Sequence, residues 1–167
     1  MNNKVVLAFS GGLDTSFCVP YLKEQGYEVH TVMVNTGGFS AEEEKAIEER
    51  ALTLGAASHK NVNAVDTYYS KGIKYLIYGN ILKNATYPLS VSSERVFQAL
   101  EVLKHVQNIG ACAVAHGSTG AGNDQVRQGP AGLQSARSRA GPAGQSSGFW
   151  PLDLQRNTRL LGKTARL

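Results

Sequence analysis

The residues Ser10, Gly11, Gly12, Leu13, Asp14, Thr15 and Ser16 put two glycines, three hydroxyls and a carboxylate into one short turn. They follow an apolar run, Val5-Val6-Leu7-Ala8-Phe9, that reads as a buried strand. They precede Phe17 to Gln25, which reads as a helix closed by Gly26. At such a junction the unpaired backbone N–H groups and the positive end of the helix dipole converge, and the place attracts phosphate. The glycines let backbone approach an anion with no Cβ in the way, and Ser10, Thr15 and Ser16 add short hydroxyl donors. The Gly-Lys-Ser/Thr ending of the common P-loop is absent, and so is the Gly-x-Gly-x-x-Gly dinucleotide spacing. Asp14 stands where another nucleotide loop has a cation, which makes sense if it holds Mg²⁺. The alternative is a plain strand–helix turn with Asp14 or Thr15 as a helix cap.

A second constellation runs from His116 to Arg127 and is rich in glycine and hydroxyls. A Gly-rich loop alone also fits a flexible connection. Its ending is sharper. Asn123 donates and accepts, Asp124 suits an ammonium, and Arg127 can fork onto a carboxylate, a set that suits zwitterionic amino acids. The site has no obvious catalytic histidine. His116 lies in the loop, where histidine is more often structural or solvated, and His30, His59 and His105 carry no motif.

The elements that must position these residues alternate between strand and helix. Tyr27 to Val34 reads as a second strand, and a turn with Gly37-Gly38 follows. Ser40 and Glu43 form a capping box for a helix that stops at Gly55. Ala57 to Val65 reads as a weaker strand. Asp66 is expected to cap a helix in which Ile73, Leu76, Ile77 and Ile81 recur at helical spacing. Val96, Leu100, Leu103 and Gln107 mark a further helix ending at Gly110, before a short buried strand over Ala111-Cys112-Ala113-Val114-Ala115. This alternation implies an α/β fold with a parallel, doubly wound sheet, in which ligands sit beyond the carboxyl ends of the strands. The loops after the first and last strands are then expected to face one crevice. Pro20 falls inside the first helix or just after its true start, and has no functional account.

At 167 residues the chain suits one compact domain. Cys18 and Cys112 offer neither a disulfide framework nor metal spacing, and read as small core residues of an intracellular protein. No apolar run reaches the roughly 20 residues that span a bilayer, and Met1-Asn2-Asn3-Lys4 leads straight into a strand without room for a signal peptide. Of the net charge of +4, residues 128–167 hold +5, with six Arg or Lys against Asp153. Residues 1–127 are therefore at −1, with no basic footprint for nucleic acid.

The residues from Ser10 to Ser16 resemble the pyrophosphate loop of the N-type ATP pyrophosphatases, and the string from Ala8 to Ser16 looks most like the argininosuccinate synthase family. The ending Gly122-Asn123-Asp124-Gln125-Val126-Arg127 resembles that family's motif closely. Tyr87-Pro88-Leu89-Ser90-Val91-Ser92-Ser93-Glu94-Arg95 is similar to its citrulline-binding segment, with Val91 for a commoner Thr and Glu94-Arg95 for Ala-Arg. The resemblance covers residues 1–127 and implies a Rossmann-like fold of the adenine nucleotide alpha hydrolase type. It implies ATP and Mg²⁺ as cofactors, with citrulline and aspartate as small-molecule substrates. ATP would meet Ala8, Phe9, Ser10, Gly11, Gly12, Leu13, Asp14, Thr15, Ser16, Val34, Ala115, His116, Gly117, Ser118 and Thr119, with Asp14 toward Mg²⁺. Citrulline would meet Tyr87, Ser92, Asn123 and Arg127, and aspartate Thr119, Asn123 and Asp124. On residue type alone Tyr87 also reads as a packed loop aromatic and Ser92 as a helix cap. The implied reaction joins citrulline and aspartate into argininosuccinate, releasing AMP and pyrophosphate in arginine biosynthesis. The resemblance also implies a cytoplasmic setting, no nucleic-acid or membrane partner, and a homo-oligomeric family whose assembly this shorter chain is not expected to share. Another ATP pyrophosphatase, such as a tRNA thiolase, or an ATP-binding adaptor without turnover, are the competing readings.

The resemblance stops after Arg127. Residues 128–148 hold five glycines, two prolines and one large aliphatic, Leu133, with no period. Such a stretch buries too little apolar surface to offset chain entropy, so residues 128–167 are expected to be a low-complexity, disordered tail outside the family pattern. Permissible codons for Gly148-Phe149-Trp150-Pro151-Leu152, read one base later, give Asp-Phe-Gly-Leu-Ser, similar to a segment family members carry downstream. The tail is therefore expected to be a frame-shifted reading of the same gene.

Overall fold

The computed structural model describes residues 3–83, 85–117 and 148–151. Strand β1 (Lys4–Ala8) is central, and Val5, Val6 and Leu7 are fully buried. It pairs in parallel with β2 (Glu28–Asn35) on one side and β6 (Ala113–His116) on the other, and β2 pairs in parallel with β3 (Ser58–Asn63). The chain steps outward from β1 to β3, then crosses back to place β6 on the far side of β1. The crossover makes the β1–β6 junction a topological switch point, where open α/β sheets bind ligands.

Alternation along β1 sends its side chains to two cores. Val5, Leu7 and Phe9 pack with Cys18, Val19 and Leu22 of α1 (Leu13–Glu24) and with Ile47 and Ala51 of α2 (Ala41–Thr53). Val6 packs on the other face with Val32, Val34, Ala64 and with Val102 and Val106 of α5 (Ser90–Ile109). Helices thus cover both faces, as the alternation predicts. Helix α2 starts with the expected capping box: Glu43 N–H donates to Ser40 Oγ, and Ser40 N–H donates to Glu43 Oε2. Gly110 closes α5 in the left-handed conformation (φ 65°), as a C-terminal glycine should. Cys18 is buried in the first core, and half-buried Cys112 packs against it.

Three expectations are corrected. Helix α1 begins at Leu13, so Asp14, Thr15 and Ser16 form its first turn rather than a loop before it, and Pro20 lies inside the helix. Asp66 is not a cap: Ala64 holds that position, and Asn63 Oδ1 accepts from the Val65 N–H. The expected single helix through Ile81 divides into α3 (Val65–Tyr68), a π-helical turn (Tyr69–Ile73) and α4 (Lys74–Tyr78), followed by the short antiparallel pair β4 (Leu82–Lys83) and β5 (Tyr87–Pro88). Ile77 is 63 % exposed and Ile81 is exposed as well, while Ile73 and Leu76 are half-buried, so only part of the apolar period meets a packed surface. The doubly wound parallel sheet is as expected over β3, β2, β1 and β6, and one further strand joins its edge. Gly148–Pro151 forms β7, antiparallel to β6. Two β-prone aromatics suit pairing along the open edge of β6, and proline is tolerated on an edge strand. The remainder of the tail, 128–147 and 152–167, lies outside the described residues, as does the expected domain boundary at residue 127.

Candidate functional site

The carboxyl end of β1 opens directly into the Gly-rich turn. Gly11 has φ 73°, a left-handed conformation that favours glycine, and a Cβ there would stand 2.9 Å from Ile47 Cγ1. The turn is therefore moulded onto α2, and Arg50 of that helix donates through Nη1 to the Gly11 carbonyl. Gly12 caps α1 in extended conformation without a side-chain cap bond. The first N–H groups of a helix have no intrahelical acceptor, so this end offers donors and a positive dipole to an anion. Thr15 Oγ1 donates to the Gly12 carbonyl, so its hydroxyl proton is engaged inside the turn.

The loop after β6 closes on the same helix end. A Cβ on Gly117 would lie 3.0 Å from Thr15 Cγ2 and 3.1 Å from Thr15 N, so the two loops approach closely and a side chain here would be tightly crowded. The expectation of one crevice between the two loops holds for His116 and Gly117. His116 is buried, and burial lowers its pKa, so the imidazole is neutral near pH 7. It presents no cationic acid to the site.

These elements line an open cleft of about 660 Å³ at the strands' carboxyl ends. On the α1 side stand Ala8, Phe9, Ser10, Gly12, Leu13, Asp14 and Thr15, joined by His116 and Gly117. The floor includes Val34, and the opposite wall is Glu94, Arg95, Gln98 and Val102 of α5. Gly38 and Phe39 complete the rim, in a loop folded around buried Asn35. The Asn35 amide donates to Phe39 O and Glu44 Oε1, while its carbonyl accepts from the Gly37 and Phe39 N–H groups. Exposed Asp14 is one carboxylate at the helix end that attracts phosphate. A single carboxylate beside phosphate oxygens and water suits Mg²⁺, which is rarely caged by protein alone.

Among the expected ATP residues, Gly11, Ser16 and Ala115 do not line the cleft; Gly11 shapes the turn from beneath. Ser92 lies half-buried near the start of α5, outside the lining, and Tyr87 is in β5. Ser118, Thr119, Asn123, Asp124 and Arg127 lie outside the described residues. Sequence reasoning missed Phe39, Gln98 and Val102, and Glu94 and Arg95 drew attention only as departures from a family pattern. Position after a strand's carboxyl end was the available signal for Phe39.

Comparison with known proteins agrees with this geometry. The family model described as Arginosuccinate synthase N-terminal HUP domain matches residues 4–137. The argininosuccinate synthase of Xylella fastidiosa is 52% identical over 126 residues, covering 75% of this chain and 31% of that protein. That of Hyperthermus butylicus is 48% identical over 124 residues, covering 74% and 31%. The chain thus spans about 31% of the length of these relatives. In fold it is similar to the glutamine-dependent NAD⁺ synthetase of Acinetobacter baumannii, with a TM-score of 0.54 and 18% identity over 68% of this chain and 21% of that one. It is also similar to the NMN synthetase of Francisella tularensis, with a TM-score of 0.52 and 11% identity over 68% and 44%. With the Gly-rich turn and the whole parallel sheet inside the matched residues, the chain belongs to the argininosuccinate synthase family, through its N-terminal HUP domain.

Proposed function

We propose that this chain binds Mg-ATP in the cleft and carries the nucleotide half of an argininosuccinate synthase. The observation that supports it best is the uncapped start of α1 at Gly12, closed over by Gly117 at the β1–β6 switch point. Phosphates of ATP would lie on the first-turn N–H groups, with Asp14 toward the metal. When bound, Mg²⁺ would neutralise charge on the β- and γ-phosphates. In the reaction of this family, the ureido oxygen of citrulline attacks the α-phosphorus and pyrophosphate leaves. The aspartate amine then displaces AMP to give argininosuccinate. No side-chain nucleophile is required. This chain's part is to hold the leaving pyrophosphate on preorganised dipoles, which acts on the transition state without reorganisation. Neutral, buried His116 is a structural neighbour of that site rather than its acid.

Citrulline would be met by Tyr87, Ser92, Asn123 and Arg127, and aspartate by Thr119, Asn123 and Asp124. Residues 1–127 would make up the nucleotide-binding unit, with the low-complexity segment beyond it. Because the chain spans about 31% of its relatives, the reading commits this polypeptide to ATP binding and assigns ligation to the whole family protein. Calorimetric titration of the 167-residue chain with ATP and Mg²⁺ tests it. Saturable binding, competed by pyrophosphate, is expected. No binding of either ligand would reject the reading, and citrulline- and aspartate-dependent AMP release would extend it to ligation by this chain.

A further inference from the structure

Two carboxylates line the cleft, and the proposed chemistry uses one. Asp14 belongs to α1 on one face of the sheet, and Glu94 belongs to α5 on the other. Glu94 is held by one oxygen. Its Oε1 accepts from Thr36 Oγ1 at 2.6 Å and from Gln98 Nε2 at 3.1 Å. Gln98 Oε1 accepts in turn from Arg95 Nη1 at 3.0 Å. This chain of bonds ties α5 to the loop after β2. Every bond to the carboxylate goes to Oε1, and Oε2 takes none from a described residue. A carboxylate has about four lone-pair sites. One that is half-buried, fixed in place and set on a cleft wall is an acceptor suited to a ligand donor.

The type of donor follows from the arrangement. Phosphates belong at the α1 end, where the dipole is positive, and a second carboxylate would repel them. The part of a nucleotide that reaches α5 is its neutral nucleoside. The neighbouring surface of Val34, Phe39 and Val102 suits a base or sugar face. Resting on the ATP reading above, we infer that Glu94 is a specificity residue for the nucleoside, accepting through Oε2 a hydrogen bond from its exocyclic amine or a ribose hydroxyl. An analogue lacking that donor leaves the carboxylate unpaired, which is how a polar site rejects a close analogue.

The test is calorimetry on the 167-residue chain at fixed Mg²⁺, with ATP, ITP, 2′-deoxy-ATP, 3′-deoxy-ATP and pyrophosphate. The unmodified chain is expected to favour ATP by about tenfold over the one analogue that lacks the donor, the scale of a hydrogen bond to a charged group. Weakening by ITP alone would assign the amine, and weakening by a deoxy nucleotide the hydroxyl. Glu94→Ala is expected to lower ATP affinity about tenfold and leave that analogue and pyrophosphate within about twofold. Glu94→Gln, which keeps an acceptor oxygen, should retain most of the preference. Equal weakening of every ligand including pyrophosphate would mean a structural role and overturn the inference. So would unchanged selectivity in Glu94→Ala, or weakening confined to added citrulline. Those results would leave ATP binding standing; failure of the unmodified chain to bind ATP or pyrophosphate would remove both readings.

Discussion

The turn between β1 and α1 and the segment between β3 and α5 both carry residues with site chemistry, yet they are held in opposite ways. The turn is open to the cleft on one side and backed on the other. Phe9 is buried beneath it, Ile47 and Arg50 of α2 fix Gly11, and Gly117 presses on Thr15. The segment from Val65 to Pro88 is broken by a π-helical turn and leaves Tyr75, Ile77, Tyr78 and Ile81 exposed. Its firm attachment is Tyr68, whose hydroxyl donates to the Ser90 carbonyl at 2.6 Å and whose ring lies 5.1 Å from that of Phe97. Precision at the Gly-rich turn comes from neighbours distant in sequence, while the 65–88 segment leaves much of its apolar surface exposed. The anion site proposed at the turn needs that rigidity, because a displacement of about 1 Å can cost on the order of 100-fold in rate.

The largest effect is expected where the turn's backing is broken. Gly11→Val must adopt a left-handed backbone and meet Ile47, costs of roughly 1–2 and 1–3 kcal/mol. Urea unfolding should show a loss of about 2–5 kcal/mol. ATP affinity should fall more than about 100-fold in the fraction still folded, because the donors are displaced. Unaltered ATP binding in that variant would show that the turn's shape is irrelevant to the site. Asp14→Asn separates metal from phosphate. Its side chain is exposed, so the fold should be unaffected. ATP affinity should drop about tenfold with Mg²⁺ and little without it. Equal loss in both conditions would reduce Asp14 to a first-turn dipole partner.

Much of the well-backed region is legible in the sequence. The apolar run of β1, the Ser40–Glu43 box and the glycines at 26, 55 and 110 are local signals whose meaning needs no distant partner. What could not be read depends on tertiary contacts. The start of α1 at Leu13 has Gly12 as its cap, one of several cap-competent residues in the turn, and residue type alone does not choose among them. The wall of Glu94, Arg95 and Gln98 exists only because α5 lies beside the carboxyl end of β2. The helical spacing of Ile73, Leu76, Ile77 and Ile81 was genuine, but periodicity cannot say whether a surface exists to receive it.

The face under α5 offers a subtler contrast. His105 is buried beside Val102 and Val106, and neither ring nitrogen has a described partner. Burial above all, then Lys60 and His30, lowers its pKa below the ordinary 6.5. A histidine with a depressed folded pKa binds fewer protons folded than unfolded. Its contribution is therefore intact above about pH 6.5 and is lost as pH falls toward the folded pKa. Buried His116 has the same sign. Stability measured by urea unfolding should decline from pH 7 to pH 5. His105→Leu should flatten that decline without abolishing it, and be more stable by about 1 kcal/mol at the acidic end. An identical pH slope in the variant would show that His105 is not the titrating group.

The smallest effect belongs to the exposed segment, and it sharpens the contrast because the chemistry of the substitution can be held constant. Ile77 and Ile47 are the same residue type on helices, 63 % and 8 % exposed. Ile47→Ala removes methylenes from the first core and from beneath Gly11, so a loss of about 2–4 kcal/mol is expected, together with weaker ATP binding. Ile77→Ala removes surface that water already covers, in a helix where alanine is the better former. Its unfolding free energy should change by less than about 0.5 kcal/mol, with ATP affinity within about twofold. Paired urea titrations and calorimetry on the two variants read both quantities at once. A cost at Ile77 approaching that at Ile47 would mean that the 65–88 segment is covered in solution and that its apolar face is as well backed as the turn.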